Sequence, residues 1–519
     1  MNILAYRSSG YEGELIFVEV DLRRGIPGTE IVGLPDSAVR EARERVRVAI
    51  RNSGYRFPTE RVLVNLSPAG LKKGGAAFDL AVALGILCAS GQVRSATQSV
   101  LVMGELGLSG VVRPVTGVIS AVSVAAARGI RRVVVPRANV AEVGAAGVEC
   151  EVIAAVDLAG VADAFNRSAY RSERTGVPAA PTAWCGDYAD VKGRILEKRA
   201  VEVAAAGMHN LVLFGPPGTG KTMTARRLPG IFPRLKLEDA REVTRIHSTA
   251  GILAAGSGIV GTAPFRAPHH TSSLEGMIGG GKRLKPGEIS LAHRGVLFLD
   301  EASEFSRNVI QALRQPLEDG LIVLARADST AWYPAVFQLV LATNLCRCGN
   351  LGRGDCLCSR SELDAYWRKI GGAVLDRIDV RVAFGVEAPS EILTDGYETS
   401  AAIRDRVDKA VDIQHERYRN EPFSRNSRLP AALVGRYCAI GDRAAREYGI
   451  AAEKLLLSGR ACLSVLKVAR TIADLESSDG ILPDHVLEAV HHRRFGENGF
   501  LDAISTTARR RVVSAACGR

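Results

Sequence analysis

Gly215-Pro216-Pro217-Gly218-Thr219-Gly220-Lys221-Thr222 has the residue types and spacing of a loop that wraps a polyphosphate. Its glycines let consecutive backbone N–H groups close around a β-phosphate, Lys221 reaches the β/γ oxygens, and the Thr222 hydroxyl ligates Mg²⁺. The loop follows an apolar run, Leu211-Val-Leu-Phe214, that reads as a buried parallel strand, and Met223 to Leu228 is expected to continue as a helix. A second run, Gly295-Val-Leu-Phe-Leu299, ends in two carboxylates, Asp300 and Glu301. Asp300 would hold the water shell of Mg²⁺, and Glu301 would polarise the water that attacks in line. A third, Leu339-Val-Leu-Ala-Thr343, ends in Asn344, whose side chain suits placing that water near the γ-phosphate. Any one of these strands could be plain core. Three in this order, each ending in the required group, point to a nucleoside triphosphatase.

The chain has ten cysteines, of which Cys88, Cys150, Cys185, Cys438, Cys462 and Cys517 are scattered and expected to be reduced thiols. The other four form two C-x-C pairs, Cys346/Cys348 and Cys356/Cys358, joined by Gly349-Asn-Leu-Gly-Arg-Gly-Asp355. That connection turns tightly enough to bring both pairs together, and four thiolates in one small loop match a closed tetrahedral Zn²⁺ site. C-x-C is less common than C-x₂-C in such sites, so redox-active or unliganded thiols stand as the other reading.

These groups must be positioned by a large chain. Its 519 residues imply roughly three domains at about 150 residues each. No apolar run reaches the ~18 residues of a membrane span; Ala76 to Gly91 comes nearest and is broken by Asp79. Met1 to Arg7 has no signal pattern, so a cytoplasmic protein without membrane attachment is expected. Net charge of +11 and a pI near 9.3 suit a polyanionic partner, though a basic balance alone does not require one.

The chain divides into a mixed block over 1–165, a linker over 166–187, a nucleotide-binding block over 188–395, a helical block over 396–505 and a basic tail over 506–519. The first alternates β-like runs (Leu15–Val20, Arg61–Asn65, Arg132–Val135) with Ala-rich helical stretches. The fourth repeats apolar residues at helical spacing: Ile403, Val407 and Val411, then Leu463, Leu466, Val468, Ile472 and Leu475. The fold class expected is multidomain α/β.

Further motifs carry a resemblance. Phe265-Arg-Ala-Pro-His-His270, Lys285-Pro-Gly-Glu-Ile-Ser-Leu-Ala-His293, Leu375-Asp-Arg-Ile-Asp379 and Val468-Ala-Arg-Thr-Ile-Ala-Asp-Leu475 are similar to the magnesium-chelatase-like branch of the AAA+ ATPases. With the first block and the cysteine cluster included, nearly the whole chain resembles the YifB/ComM family, which is linked to hexameric, ATP-driven DNA branch migration. The resemblance implies ATP with Mg²⁺, a homo-oligomer (a hexamer) and single-stranded or branched DNA as partner. It implies that Arg377 is an arginine finger entering the neighbouring subunit's ATP site, and that Arg460 is the helical lid's sensor arginine. His269 and His270 belong to the signature, with no chemistry assigned.

The first block resembles the proteolytic domain of Lon proteases, an α+β fold, but departs from it where chemistry resides. Active members carry a serine within K-D-G-P-S-A-G and a lysine within P-I-G-G-L-K. Here Lys72-Lys-Gly-Gly-Ala-Ala-Phe78 puts Ala76 at the serine position, and Pro114-Val-Thr-Gly-Val-Ile119 puts Ile119 at the lysine position. Nucleophile and base are both missing, so a non-proteolytic scaffold or DNA-binding ring is expected. Three activities are consistent with these readings: a DNA-translocating ring ATPase, an ATP-driven protein remodeller, and a motor for metal insertion into a tetrapyrrole. The basic insert Gly279-Gly-Gly-Lys282-Arg283-Leu-Lys285 would suit gripping phosphates, or would simply be a solvated loop.

Overall fold

The computed structural model describes residues 2–71, 73–94, 98–167, 171–172, 186–254, 256–281, 284–326, 329–351, 356–386 and 397–493. The N-terminal block is a mixed eight-stranded sheet in the order Arg171–Ser172, Glu151–Ala155, Arg132–Pro136, Val100–Val102, Ile3–Arg7, Glu14–Arg23, Arg61–Ser67, Gly28–Val32. The apolar helix Asp79–Ala89 lies against this sheet with Asp79 fully buried. Its carboxylate accepts from Arg45 at 3.0 and 3.2 Å, a partner that makes a buried charge tolerable. Ala76 opens a short 3-10 turn and Ile119 is buried in helix Val118–Ala127.

The second block is built on a five-stranded sheet, all parallel, in the order Phe265–Arg266, Val296–Leu299, Gln338–Thr343, Leu211–Phe214, Val380–Ala383. Its strands are near-continuous apolar runs because both faces are covered. Leu211, Leu213, Val296 and Phe298 pack with the C-terminal helices, while Val212, Phe214, Leu297 and Leu299 pack on the other side with Tyr366, Trp367 and Ile310. The C-terminal block is helical, with Ser400–Arg417, Asp442–Lys454, Gly459–Leu475 and Pro483–Arg493 as its longer members. Asp474 anchors it: the buried carboxylate accepts from Arg417 at 2.8 Å and Arg470 at 3.0 Å.

Two expectations need adjusting. The helix after the phosphate loop is Lys221–Arg226, six residues, giving way to a 3-10 turn at Leu228–Gly230. Pro229 offers no N–H to carry the helix on. Within the expected linker, Arg171–Ser172 form an antiparallel edge on Glu151–Ala155, and Asp187 caps the turn Tyr188–Asp190. Residues 168–170 and 173–185 lie outside the described residues, as do 387–396, the end of the helical block beyond Arg493, the 506–519 tail, Lys282, Arg283, Cys185 and Cys517. No described helix is long and apolar enough to cross a membrane.

Candidate nucleotide and metal sites

The P-loop leaves the C-terminal end of Leu211–Phe214, between the two strands that flank it, so its neighbours deliver their own C-terminal residues beside it. Gly218 and Gly220 have φ of +75° and +88°, and a Cβ on either would meet nothing within 4 Å. These glycines are needed for backbone shape, and the empty space above them is where phosphates would sit. Gly215 is different: a Cβ there would lie 2.3 Å from the Phe384 carbonyl oxygen, so close strand packing excludes any side chain. The Thr219 hydroxyl donates to Pro216 O at 2.8 Å and braces the loop.

Lys221 is buried and donates to Gly215 O and Pro216 O, both at 2.8 Å, and to Asn344 Oδ1 at 3.2 Å. Asn344 thus stands one hydrogen bond from the lysine that would face the γ-phosphate. Thr222 Oγ1 lies 3.0 and 3.2 Å from the two Asp300 oxygens. Adjacent ligands of an octahedral Mg²⁺ at 2.0–2.1 Å are about 3 Å apart, so this oxygen pair fits an edge of the Mg²⁺ shell. Glu301 has φ of +50°, which turns it out of the strand direction; its side chain is exposed. His270 Nδ1 lies 3.7 Å from Glu301 Oε2, with the His269 ring centroid 4.1 Å from that of His270 and the two rings tilted by 33°. No local pattern in the sequence joins His270 to Glu301; they meet through the pairing of Phe265–Arg266 with Val296–Leu299.

Burial, with Arg194 adding to it, pushes the Lys221 ammonium down to about 8 against the pull of Asp300. ATP would bind the charged lysine. Below pH 8 the proton is already in place; above it, binding must restore one. ATP affinity is therefore expected to hold level up to about pH 8 and then fall towards tenfold per pH unit. Titration of a fluorescent ATP analogue between pH 7 and 9.5 checks this, and a flat profile would exclude a titrating lysine.

Arg377 and Arg460 are not brought to this loop. Arg377 precedes the strand Val380–Ala383 at the opposite end of the sheet, where its carbonyl accepts from Asn210 Nδ2 at 2.9 Å. The four-residue strand Leu211–Phe214 lies between that end and the P-loop, about 13 Å at strand rise. Arg377 donates to Ala373 O at 2.5 Å and to the Glu318 carboxylate. Arg460, at the start of Gly459–Leu475, reaches the same Glu318 oxygen at 3.2 Å and Asp376 at 3.8 Å. Asp379 of the same motif is held by Ser464 at 2.5 Å and His209 at 3.3 Å. Burial works to raise its carboxyl, but His209 and Ser464 keep it at about 2. Glu318 and His209 stand outside any motif read in the sequence.

Cys346, Cys348, Cys356 and Cys358 place their sulfurs within 4.8 Å of one another, with Cys346–Cys348 at 3.3 Å, Cys348–Cys356 at 3.6 Å and Cys356–Cys346 at 3.7 Å. Tetrahedral zinc with Zn–S of about 2.3 Å separates its sulfurs by about 3.8 Å, so the donor set fits a structural Zn²⁺. Cys346 is buried and stands two residues past Asn344. A Cβ on Gly349 would come 3.2 Å from Pro217 Cγ, so the cysteine loop lies directly on the P-loop.

Three stretches of the chain match families of known proteins. Residues 187–392 match a family model described as magnesium chelatase, subunit ChlI; residues 18–139 match subunit ChlI of Mg-chelatase, and 397–493 match its C-terminal part. The YifB protein of Salmonella typhimurium is 41% identical over 490 residues, covering 93% of this chain and 95% of its own length. Competence protein ComM of Haemophilus influenzae is 38% identical over 493 residues, with 94% and 96% covered. The magnesium-chelatase 38 kDa subunit of Cereibacter sphaeroides is 23% identical over 325 residues, covering 58% of this chain and 88% of that subunit.

Proposed function

This chain belongs to the YifB/ComM family of magnesium-chelatase-like ATPases, and on that premise we propose that it is an ATP-hydrolysing ring motor that acts on DNA. The observation that carries the hydrolytic part is the convergence of Lys221, Thr222, Asp300 and Asn344 at adjacent strand ends, with Glu301 beside them. In this reading Gly215 to Thr222 cradle the phosphates, and Thr222 and Asp300 hold Mg²⁺. Glu301 activates water, with His270 as its neighbour, and Asn344 orients that water. When bound, Mg²⁺ supplies charge neutralisation of the β/γ oxygens; the chain's own groups position it and the attacking water.

A ring is supported by the position of Arg377 and Arg460. Both lie a sheet length from their own P-loop, so a neighbouring subunit's nucleotide is the one they would meet. This modifies the lid-sensor reading of Arg460: it joins Arg377 on Glu318 rather than closing over its own ATP. We take the N-terminal block to be a non-proteolytic scaffold, since Ala76 and Ile119 occupy the positions where a Ser–Lys dyad would stand. Its boundaries at 1–165, and those of the ATPase and lid blocks, are part of the same proposal.

DNA as substrate is supported by the near full-length likeness to a competence protein and by the net charge of +11. The tetrapyrrole-motor alternative shares the ChlI description, yet its 38 kDa subunit aligns with only 58% of this chain. Protein remodelling is the alternative next to DNA, and the tetrapyrrole motor stands behind both. The deciding experiment measures ATPase rate with and without single-stranded, forked and four-way DNA at two salt concentrations. DNA is expected to raise turnover and to lose its effect at the higher salt, because lysine and arginine contacts release condensed counterions. If no DNA form binds or alters the rate, the protein-remodelling reading takes its place.

The cysteine loop is proposed to carry one zinc per chain. Replacing Cys346 and Cys348 together by serine should remove it, lower the melting temperature by several degrees and weaken ATP binding through the Gly349–Pro217 contact. Elemental analysis of reductively purified protein, with thermal melts, checks this; metal-free protein with an unchanged melt would mean that the thiols are unliganded.

A further inference from the structure

A cavity of ≈ 520 Å³ opens between the N-terminal sheet domain and the ATPase domain, away from the nucleotide site. Helix Leu237–Ala250 lines it with Arg241 and Arg245, one turn apart on the same face, and the N-terminal domain adds Arg131. The carboxylate on its wall, Glu242, is already engaged. Its Oε2 pairs with His293 Nε2 at 3.0 Å and accepts from Arg294 Nη2 at 2.9 Å. Burial works to raise that carboxyl, but His293 and Arg294 hold it at about 2.

The two helix arginines are anchored without being neutralised. The Arg245 guanidinium lies 4.2 Å from the Tyr11 ring centroid and donates to Tyr11 O at 3.3 Å, while its Nε is buried with no hydrogen-bond partner. The Arg241 Nε is likewise buried and unpartnered, and among the described residues its guanidinium has no ion pair. Across the junction Gly147 has φ of +69°, and a Cβ there would fall 1.8 Å from Arg241 Nη2. The N-terminal domain therefore has a glycine where it receives this guanidinium. The buried Nε atoms fix how the two side chains lie, while their guanidinium charges border a roomy junction whose carboxylate is already engaged, and adjacent like charges there repel. An anion between them would offset that repulsion.

We propose that this junction cavity binds a small phosphate-bearing anion, held by Arg241 and Arg245 with Arg131 at the rim. Guanidinium pairs hold phosphate oxygens in bidentate fashion, and small side chains at Ala126, Ala127 and Val148 leave room for a compact apolar body. The volume lies within the ~300–1,000 Å³ of small-molecule sites. One turn along the same helix face, Ser248 closes the interface: it accepts from Gly117 N at 2.9 Å and donates to buried Glu142 at 2.5 Å. That closure favours a small molecule over a continuous nucleic-acid strand. A ligand here would touch both domains and bear on a helix whose last turn, at Ala250 O, accepts from Lys285 of the basic insert at 3.3 Å.

The test uses inorganic pyrophosphate titrated calorimetrically into full-length Lys221→Ala protein, which removes binding at the P-loop. One site per chain is expected, weakened by about tenfold or more when Arg241→Gln and Arg245→Gln are added. The melting temperature separates binding from architecture. Pyrophosphate should raise the melting temperature of the Lys221→Ala protein and leave that of the variant carrying both glutamines unmoved, whereas arginines with a merely structural role would lower the melt without changing its response to pyrophosphate. No pyrophosphate binding by the Lys221→Ala protein, binding that survives both glutamines, or an equal pyrophosphate-induced rise in melting temperature with and without them would each overturn the proposal. So would weakened single-stranded DNA binding with pyrophosphate unaffected, which assigns the surface to nucleic acid. DNA stimulation of the ATPase is a separate readout, so its failure leaves this site untouched.

Discussion

Glu301→Gln is expected to bind ATP as tightly as the parent protein and to hydrolyse it about 10²- to 10⁴-fold more slowly. The glutamine keeps the size and the φ of +50° that turns residue 301 away from the strand. It loses the negative charge that draws a proton from water. Lys221→Ala should fail earlier, at binding, because Nζ is the cation buried beside Asn344 where the β/γ oxygens would lie. The two variants therefore separate binding from chemistry: one traps ATP, the other never acquires it. His270, 3.7 Å from Glu301, offers an intermediate case, since His270→Ala removes a neighbour and leaves the carboxylate. Turnover by Glu301→Gln equal to the parent's would move the general base elsewhere.

The strands that carry this chemistry were legible because each is an apolar run ending in a polar residue of distinctive type. Leu211–Phe214, Val296–Leu299 and Gln338–Thr343 fall within a residue or so of the runs read from the sequence. The same local logic located the helices Ser400–Arg417 and Gly459–Leu475, whose apolar positions repeat at helical spacing. The cysteine spacing likewise implied convergence, and the sulfurs do converge. What escaped is what long-range pairing decides. Sheet order puts the P-loop strand between two later strands, and no periodicity encodes that. Glu318 is an exposed glutamate on a short helix, indistinguishable in sequence from any solvated carboxylate, yet it gathers two arginines from far apart in the chain. Arg241 and Arg245 alternate with Glu238, Asp239 and Glu242 on an amphipathic helix, and nothing local singles them out until the N-terminal domain is placed against it. The helix after the P-loop stops at Arg226 although apolar and basic residues continue past it, because Pro229 sets the stop.

Arg377→Ala should bind nucleotide normally and lose about 10³- to 10⁵-fold in turnover, the range seen when a finger arginine is withdrawn from a phosphoryl-transfer site. The expected loss is large because the guanidinium would meet charge that develops only in the transition state. It would arise between subunits, because Arg377 is held at the far end of the sheet from its own P-loop. Mixing the variant with parent protein should then depress activity more than dilution does, since each defective subunit disables its neighbour's site. Glu318 sharpens the test. It holds Arg377 and Arg460 together, and the two guanidiniums draw its carboxyl below the usual range, Arg377 most strongly. Exposed pairs of this kind contribute little to stability, so Glu318→Ala should leave the melting temperature within about a degree of the parent. Its effect should fall on turnover, because two arginines that enter a neighbouring site as a unit would each lose a fixed bearing. A linear mixing curve for Arg377→Ala would mean that subunits hydrolyse independently. Loss of stability without loss of turnover in Glu318→Ala would make that cluster a brace for the lid.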